Sequence, residues 1–461
     1  MNARVETPDA IEIPGGADSV YFLMFGGWDD ELRSNRWHFA SRWARHVPVV
    51  LLQPTRTSLR TTKARREPRI PNCEILEIGS PVPEATYLRR SLAQAGQVMA
   101  HMNARGHKRP VLWFYNPRLV GLYAAVPAVT RIFHATENFR DFDWLPSYFF
   151  VELEAALAMT DVVVAVSGGV EAVVAPHVPP NRLVLVTNGC DVKQYSPDGP
   201  TDDELTAARA GFERTAIYAG SVNSRLDFDL IDRAAARSPD TLIAIFGPVS
   251  DLGVGDAGAW KRLLQHDNVR YLGPADPDRL PSLYRTSDLG MIPYKRVPWL
   301  VRNGFPLKAL EMCATGLPTV SSFMEPLVGL AGALVVADDD ESFLNAFDTV
   351  RRASMTEPQR DELAAVCARN DYDVKFDEIL RKIASVGIQS EPTTRMEVLL
   401  EHVGRDGWVD ACTISARREL ADSLRARASH AYGALGARLP ARVRQAIPES
   451  VRDRVREWLA T

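Results

Sequence analysis

Short apolar segments alternate with amphipathic segments along most of this chain. Continuous apolar runs, such as residues 19–25 and 161–166, predict strands that are buried on both faces, because such strands show no polar alternation. The segments between them carry apolar residues at helical spacing, as Trp37, Ala40 and Ala44 do. This alternation predicts an α/β fold built on doubly wound parallel sheets.

The alternating pattern is interrupted once and then starts again, which predicts two α/β domains. Residues 196–203 (Ser-Pro-Asp-Gly-Pro-Thr-Asp-Asp) are consecutive turn formers, and we place the linker between the domains there. Residues 55–72 are basic and rich in turn formers, so we expect a surface loop. The predicted divisions are a flexible N-terminal arm (1–18), a first domain (19–195), a second domain (196–370), a crossover helix (371–387), and a linker with a helical tail (388–461).

Composition adds limits on the class of protein. The chain has 461 residues, 46% of them hydrophobic and 24% charged, which is typical of a globular protein with a core in each domain. A net charge of −4 does not indicate a nucleic-acid partner. Five cysteines without paired spacing fit a reducing compartment, and we expect a cytoplasmic protein without an apolar signal segment or a membrane span.

The last part of the chain has a different charge balance. Residues 417–457 contain ten Arg against five acidic residues, and Val443, Ile447 and Val451 repeat every four positions on the opposite side of a helix. Basic amphipathic helices bind anionic lipid surfaces, so we predict peripheral contact with the inner face of a membrane. Packing of the tail against the rest of the chain, or against a second copy, is the alternative.

Two sequence markers carry a specific resemblance. Residues 188–197 (Asn-Gly-Cys-Asp-Val-Lys-Gln-Tyr-Ser-Pro) follow an apolar strand, and residues 306–311 (Pro-Leu-Lys-Ala-Leu-Glu) and 314–320 (Ala-Thr-Gly-Leu-Pro-Thr-Val) come later in the chain. In this order and separation the markers resemble the group 1, or family 4-like, GT-B glycosyltransferases, over residues 19–386. The resemblance implies two Rossmann-like domains that face each other across a cleft, with residues 388–461 as a helical extension.

The resemblance also implies a site for a nucleotide-sugar donor. Lys308 and Glu311 are three residues apart and therefore project from one face of a helix. An ammonium group near a diphosphate stabilises the charge that develops on the leaving group, and a carboxylate can accept hydrogen bonds from a ribose diol. Gly220 opens a loop after a predicted strand, and Arg225 in that loop can add a bidentate contact to a phosphate.

Two further residues belong to the predicted donor site, and one residue departs from the family pattern. Gly247 and Tyr294 each follow a strand of the second domain, where backbone groups and an aromatic ring can meet the base or ribose. Many family members carry two Glu residues eight positions apart, of which Glu311 matches the second. The first position is Asn303 here, which leaves open how the sugar hydroxyls are held.

The resemblance directs attention to two segments of the first domain. His134 and Glu137 end a predicted strand at the cleft, where they suit proton handling or a sugar contact and a general base, respectively. The loop after the first strand meets the acceptor in the resembling families. The candidate acceptor contacts in and after that loop are Gly26, Gly27, Trp28 and Arg36.

Two motifs are misleading. Residues 253–258 read Gly-x-Gly-x-x-Gly, but six residues separate them from the preceding strand, so they do not match a nicotinamide-binding turn. Residues 141–143 and 227–229 read Asp-Phe-Asp, as in metal-dependent glycosyltransferases of a different fold, and Asp227 is better explained as a helix cap. We expect neither a metal nor another cofactor, with the nucleotide sugar as co-substrate.

The sequence therefore predicts a glycosyltransferase. It would transfer a sugar from a nucleoside diphosphate (NDP) sugar to a hydroxyl acceptor, which the resemblance places in a growing surface glycan or a lipid-linked oligosaccharide of bacteria. A nucleotide-sugar 2-epimerase shares the architecture and is one alternative. A catalytically silent scaffold of the same fold is another, because Asn303 stands where an acid is common.

Overall fold

The structure is a computed structural model. It describes residues 13–403, apart from residues 25–26, 30, 32, 55–62, 80–86, 142–144, 146, 251, 331, 333 and 351–354. The candidate acceptor residue Gly26, most of the predicted N-terminal arm, and the predicted basic tail from residue 404 onward lie outside the described residues.

The first sheet has eight strands in the order β3-β4-β2-β1-β5-β6-β7-β8. The strands are β1 (Ser19–Leu23), β2 (Val49–Pro54), β3 (Lys63–Arg66), β4 (Cys73–Ile78), β5 (Pro110–Phe114), β6 (Thr130–Ala135), β7 (Val162–Ala165) and β8 (Leu183–Leu185). All neighbours pair in parallel except β3, which runs antiparallel to β4.

The second sheet has six strands in the order β11-β10-β9-β12-β13-β14, all parallel. They are β9 (Arg214–Ala219), β10 (Thr241–Phe246), β11 (Val269–Tyr271), β12 (Leu289–Ile292), β13 (Thr319–Ser322) and β14 (Val335–Ala337). The central strands of both sheets are fully buried, as their continuous apolar sequences require. The predicted fold class, two doubly wound α/β domains, is confirmed.

Helices cover both faces of the sheets. They are α1 (Asn35–Trp43), α2 (Tyr87–Arg105), α3 (Val120–Ala125), α4 (Ser147–Met159), α5 (Gly168–Val174), α6 (Asp203–Ala208), α7 (Phe228–Arg237), α8 (Val254–Leu263), α9 (Leu280–Thr286), α10 (Pro298–Asn303), α11 (Leu307–Ala314), α12 (Glu325–Val328), α13 (Asp340–Thr349), α14 (Glu357–Arg369), α15 (Tyr372–Val386) and α16 (Met396–Val403). None of the described helices combines the length and apolar character needed to cross a membrane.

The prediction of a loop over residues 55–72 is wrong in part, because β3 lies within it. This strand is at the edge of the sheet, where exposed and charged residues are common, so it lacks the apolar pattern of a buried strand. Lys63 stands opposite Glu77, and Arg66 stands opposite Glu74. The opposite charges of Arg66 and Glu74 across the two strands favour the strand.

The last described helices return to the first domain. α15 buries Tyr372, Phe376 and Ile379 in the same core cluster as residues of β1, β2 and α1. α16 packs against α3 and α4, and the segment before it is held by an ion pair between Arg395 and Asp161. The chain therefore crosses between the domains twice, and the two crossings lie side by side where Cys190 bonds to the backbone of Asn370 and Tyr372.

Candidate functional site

The carboxyl ends of the two parallel sheets face one cleft. In the second domain the loops after β9 and β10, the loop after β12 and the helix α11 meet at this edge. Ligands of doubly wound proteins bind outside the carboxyl ends of strands, at the point where the strand order reverses. Strand β9 lies at that point, because β10 is on one side and β12 is on the other.

Lys308 is the central cation of this edge. It follows the first residue of α11 and is only 9% exposed. Its ammonium lies 4.0 Å from the centroid of the Tyr218 ring and donates to Tyr294 Oη at 3.1 Å. Burial raises the pKa of Tyr294, but the charge of Lys308 and hydrogen bonds from Lys308 and Tyr218 bring the pKa below its usual value. The two rings hold the ammonium in place without neutralising its charge.

Two glycines allow the backbone to approach this ammonium closely. Gly220 has a φ of 150°, and a Cβ there would overlap with Lys308 Nζ. Gly247 has a φ of 137°, and a Cβ there would overlap with the carbonyl oxygen of Gly220. Both conformations are left-handed and suit glycine. The two loops and Lys308 therefore form one compact unit at the ends of β9 and β10.

Glu311 lies one helical turn after Lys308, as the sequence spacing predicts. Its carboxyl is 8% exposed and hydrogen-bonds with the hydroxyl of Tyr195. Burial raises the pKa of Glu311 to about 7, although Lys308, Tyr195 and Arg33 all act to lower it. A carboxyl in this state exchanges its proton near neutral pH, and its ionised form can accept hydrogen bonds from a diol.

The raised pKa leads to a prediction on pH. If Glu311 accepts hydrogen bonds from a ribose diol, it does so in its ionised form, so we expect affinity for a nucleoside diphosphate to increase as the pH rises through about 7. A calorimetric titration series across this range measures the effect. In Glu311→Gln the dependence should be lost, whereas Glu137→Gln should retain it. A wild-type affinity that is constant with pH would contradict this role of Glu311.

The same shift has a consequence for folding. Because the folded pKa lies above the ordinary value of 4.5, Glu311 contributes stability that is complete at lower pH and is lost as pH rises through about 7. The Glu311→Gln variant has no titrating carboxyl at this position, so it does not lose this stability as the pH rises. Its Tm relative to the wild type should therefore increase between acidic and mildly alkaline pH in the absence of ligand.

Arg225 and Glu137 face each other across the cleft. Arg225 is exposed, and its guanidinium lies 5.3 Å from the centroid of the Trp299 ring. Glu137, two residues after β6, is half-buried; burial raises its pKa and the charge of Arg225 opposes this. The structure thus brings a first-domain carboxyl near a second-domain guanidinium, as a site between the domains requires.

His134 lies in a different environment from the one that the sequence suggests. Its ring is 1% exposed and packs among aromatic rings, with that of Tyr115 stacked at 5.0 Å. Burial lowers its pKa to about 3, so the ring is neutral. Neither ring nitrogen has a hydrogen-bond partner among the described residues. Its catalytic role stays a prediction, but the position favours Glu137 as the group that meets a substrate.

The candidate acceptor residues differ in burial and in their contacts. Trp28 is 1% exposed and donates from Nε1 to Glu67 at 2.5 Å, which is the position of a core residue rather than a stacking platform. Arg36 is partly exposed and pairs with Glu31 at 3.0 Å. Among the described residues, a Cβ on Gly27 would meet only the Gln53 amide, at 3.9 Å. Of these residues, Arg36 and Gly27 retain space for a ligand.

Several residues of the site were not predicted. Tyr195 and Tyr218 hold Glu311 and Lys308, and Arg33 reaches from the first domain to pair with Asp278 at 2.6 Å. Tyr195 lies within the first sequence marker, which was the one available signal. Arg33 also has a φ of 61°, which is uncommon for a residue with a side chain and is often found at functional sites.

The first sequence marker has a structural function at the cleft. Asn188 donates to the carbonyl of Phe305 at 2.8 Å and accepts from Asn35 at 3.2 Å. It therefore connects α1 of the first domain to the loop that precedes α11. This contact positions Lys308 and Glu311 relative to the first domain.

The structure shows where the Gly-x-Gly-x-x-Gly and Asp-Phe-Asp sequences lie. The Gly-x-Gly-x-x-Gly segment caps and enters α8, and none of its glycines has a positive φ. Asp227 caps α7 by accepting from the backbone of Leu230, as predicted. Within the described part of the chain, no group of three or more His, Cys, Asp or Glu side chains is arranged to hold a metal ion.

Comparison with protein families identifies the second domain. The family model described as "Glycosyl transferases group 1" matches residues 213–351. This span begins immediately before β9 and ends after α13, so it contains Gly220, Arg225, Gly247, Lys308 and Glu311.

Curated relatives are similar over part of the chain. The candidate teichuronic acid biosynthesis glycosyltransferase TuaH of Bacillus subtilis is 28% identical over 208 residues, which is 43% of this chain and 50% of that protein. The D-inositol 3-phosphate glycosyltransferase of Mycobacteroides abscessus is 29% identical over 152 residues, 31% of this chain and 32% of that protein. The chain thus spans half or less of these relatives' length.

Solved structures show the same fold at low sequence identity. A trehalose-6-phosphate structure from E. coli, bound with UDP-2-fluoro glucose, matches with a TM-score of 0.62 and 13% identity, over 81% of this chain and 100% of that one. The sucrose-phosphate synthase of Thermosynechococcus elongatus matches with a TM-score of 0.60 and 13% identity, over 79% and 98%. The chain therefore has the GT-B fold, and its second domain matches the group 1 glycosyltransferase family over residues 213–351.

Proposed function

We propose that this protein transfers a glycosyl group from an NDP-sugar to a hydroxyl acceptor. The observation that carries the proposal is the pair formed by Lys308 and Glu311. A buried ammonium and a buried carboxyl lie one helical turn apart, at the ends of the central strands of the second domain. The Lys308 ammonium can stabilise a diphosphate, and the Glu311 carboxyl can accept hydrogen bonds from a ribose diol. Their separation along one helix suits the diphosphate and ribose of one nucleotide.

The proposed reaction follows from this placement of charge. The acceptor oxygen attacks the anomeric carbon of the donor while the bond from that carbon to the diphosphate oxygen breaks. The leaving NDP gains the electron pair, and Lys308 and Arg225 stabilise the new negative charge. The proton of the acceptor hydroxyl must leave, and Glu137 is the carboxyl on the first-domain side of the cleft that is suited to accept it.

Closure of the cleft is part of the proposal. The ion pair of Arg33 with Asp278, and the bond of Asn188 with the carbonyl of Phe305, already join the domains. A closed cleft excludes water, so that the acceptor hydroxyl rather than water attacks the sugar.

The names of relatives support the class of substrate. TuaH is named for teichuronic acid biosynthesis, and the Mycobacteroides abscessus protein for D-inositol 3-phosphate. One structural neighbour is described as bound with UDP-2-fluoro glucose and another with UDP and glucose. We therefore propose an NDP-sugar donor and a polyhydroxyl acceptor of a bacterial surface or lipid-linked glycan. We further propose that Lys308 and Arg225 neutralise the diphosphate without a metal.

The test combines binding with product analysis. UDP-, GDP-, ADP- and dTDP-sugars are titrated against the wild type and Glu311→Ala, and each donor that binds is incubated with polyol and lipid-linked acceptors in the presence of EDTA. We expect one nucleotide to bind the wild type, with the affinity reduced in Glu311→Ala. We also expect release of free NDP that depends on the acceptor.

Other outcomes would overturn the proposal in distinct ways. An altered sugar that remains attached to its NDP, without any acceptor, would indicate epimerisation instead. Binding of no nucleotide would indicate a silent scaffold. Activity that is lost in EDTA and restored by manganese would contradict only the proposal that Lys308 and Arg225 neutralise the diphosphate without a metal.

A further inference from the structure

One contact across the cleft involves the residue that departs from the family pattern. Asn303 is the last residue of α10 and precedes the loop that leads to Lys308. Its amide nitrogen donates to the Asp141 carboxylate of the first domain at 2.9 Å. A carboxylate is therefore present beside residue 303, but it comes from the opposite domain.

The fold brings the two domains close together at this contact. α10 contacts α5 of the first domain. A Cβ on Gly169, near the start of α5, would overlap with Asn303 Oδ1 and lie 2.6 Å from the carbonyl oxygen of Arg302. Only glycine allows this approach, so the position of Asn303 against the first domain is specified by the backbone.

Asp141 is held on the same loop as Glu137. A single turn of 3-10 helix spans Phe139–Asp141, and the Phe139 side chain is 6% exposed and anchors the turn in the core. The backbone N–H of Asp141 donates to the carbonyl of Asn138 at 3.1 Å, which closes the turn. The turn fixes Asp141 beside the candidate catalytic loop.

The Asp141 carboxylate remains available for a ligand. The residue is exposed, and among the described residues no cation forms an ion pair with it. A carboxylate can accept several hydrogen bonds, and the bond from Asn303 uses one of these positions. Adjacent hydroxyls of a sugar ring are donors that match the remaining positions.

We propose that Asp141 recognises hydroxyls of the sugar that is transferred, with Asn303 as its positioning partner. This inference rests on the proposed function. It assigns to the first domain a contact for which the family commonly uses an acid of the second domain. Recognition of the sugar by Asp141 therefore requires the two domains to be together, and it couples the choice of sugar to closure of the cleft.

The experiment compares binding of an NDP-sugar with binding of the same NDP without its sugar. UDP-glucose with UDP, GDP-mannose with GDP, ADP-glucose with ADP and dTDP-glucose with dTDP are titrated by calorimetry into the wild type, and the pair that binds is then used with variants. In Asp141→Asn we expect affinity for the NDP-sugar to fall roughly tenfold to a hundredfold, because hydrogen bonds to a charged acceptor are lost. Affinity for the NDP should remain unchanged.

A more stringent experiment moves the carboxylate from residue 141 to residue 303, on the other side of the cleft. Asn303→Glu alone places two carboxylates together and should also weaken sugar recognition, since they repel each other. The double variant Asp141→Asn with Asn303→Glu restores one carboxylate and one amide at this contact, and should recover much of the preference for NDP-sugar over NDP. Asp229→Asn, at an exposed position of α7 in the other Asp-Phe-Asp sequence, is the matched control and should behave as the wild type.

Each result has a definite meaning. Equal loss of NDP-sugar and NDP affinity in Asp141→Asn, or no loss, would overturn the assignment of Asp141 while leaving the proposed function in place. Failure of the wild type to bind any of these nucleotides would overturn the proposed function itself, and the assignment with it. A drop in the double variant as large as the sum of the single effects would exclude the partnership with Asn303.

Discussion

Replacing Lys308 with Met should lower kcat/KM for glycosyl transfer by about 10²–10³-fold, the range found when one preorganised charge-stabilising group is removed. Met retains the apolar stem but leaves no cation between the rings of Tyr218 and Tyr294. The loss should be larger in kcat than in donor affinity, because charge on the diphosphate is greatest as it leaves. Steady-state kinetics with a matched donor and acceptor measure both quantities.

A second readout separates this electrostatic role from a structural one. Lys308 lowers the pKa of Glu311, so without it that pKa should rise above about 7, and the pH dependence of nucleotide binding should move to more alkaline pH. Lys375→Met is the matched control, because Lys375 is equally buried, at 9% exposed, but donates to Thr187. Loss of activity in both variants, or an unchanged pH profile in Lys308→Met, would contradict the proposed role.

Some contacts of the candidate site could be predicted from the sequence. Lys308 and Glu311 belong to one helix, so their spacing alone predicts that they share a face. Gly220 and Gly247 were readable because each follows an apolar strand, and parallel strands end at the same edge of a sheet. These predictions depend on local geometry, which the sequence specifies directly.

Contacts between segments that are distant in sequence could not be predicted from local patterns. Tyr195 meets Glu311 because the first sequence marker packs into the core of the second domain. Asp141 meets Asn303 only because the two domains pack with a particular relative orientation. The orientation depends on both interdomain crossings and on the packing of α15 against the first sheet. No periodicity within either segment carries that information.

Burial also determined which interpretation of an ambiguous residue the structure favours. A histidine at a strand end and a tryptophan in a loop suit both a site and a core. His134 and Trp28 are each 1% exposed, because α1 and its neighbours cover the face of the sheet on which they lie. β3 was not predicted for a related reason, since its residues 64–66 are exposed and the strand carries little apolar pattern.

Gly220→Ala should reduce transfer by about 10²-fold, a loss that approaches that of removing Lys308. The added methyl group would overlap with the ammonium of Lys308, and a φ of 150° is unfavourable for alanine. The lysine end is flexible and can move, so we expect the fold to remain, with a stability loss of about 1–3 kcal/mol from backbone strain. Activity assays together with thermal unfolding measure the two effects separately.

The double variant of Gly220→Ala with Lys308→Met tests whether the glycine acts through the lysine. If Gly220 serves to leave space for the ammonium, the activity losses should be far from additive, because Met already removes the group that Ala displaces. Gly255→Ala is the matched control, since a Cβ there meets none of the described residues within 4 Å and the backbone is not left-handed. Additive losses in the double variant would show that Gly220 acts independently of Lys308, for example through its own backbone. A loss in Gly255→Ala comparable to that in Gly220→Ala would place nucleotide binding at the entrance of α8 instead.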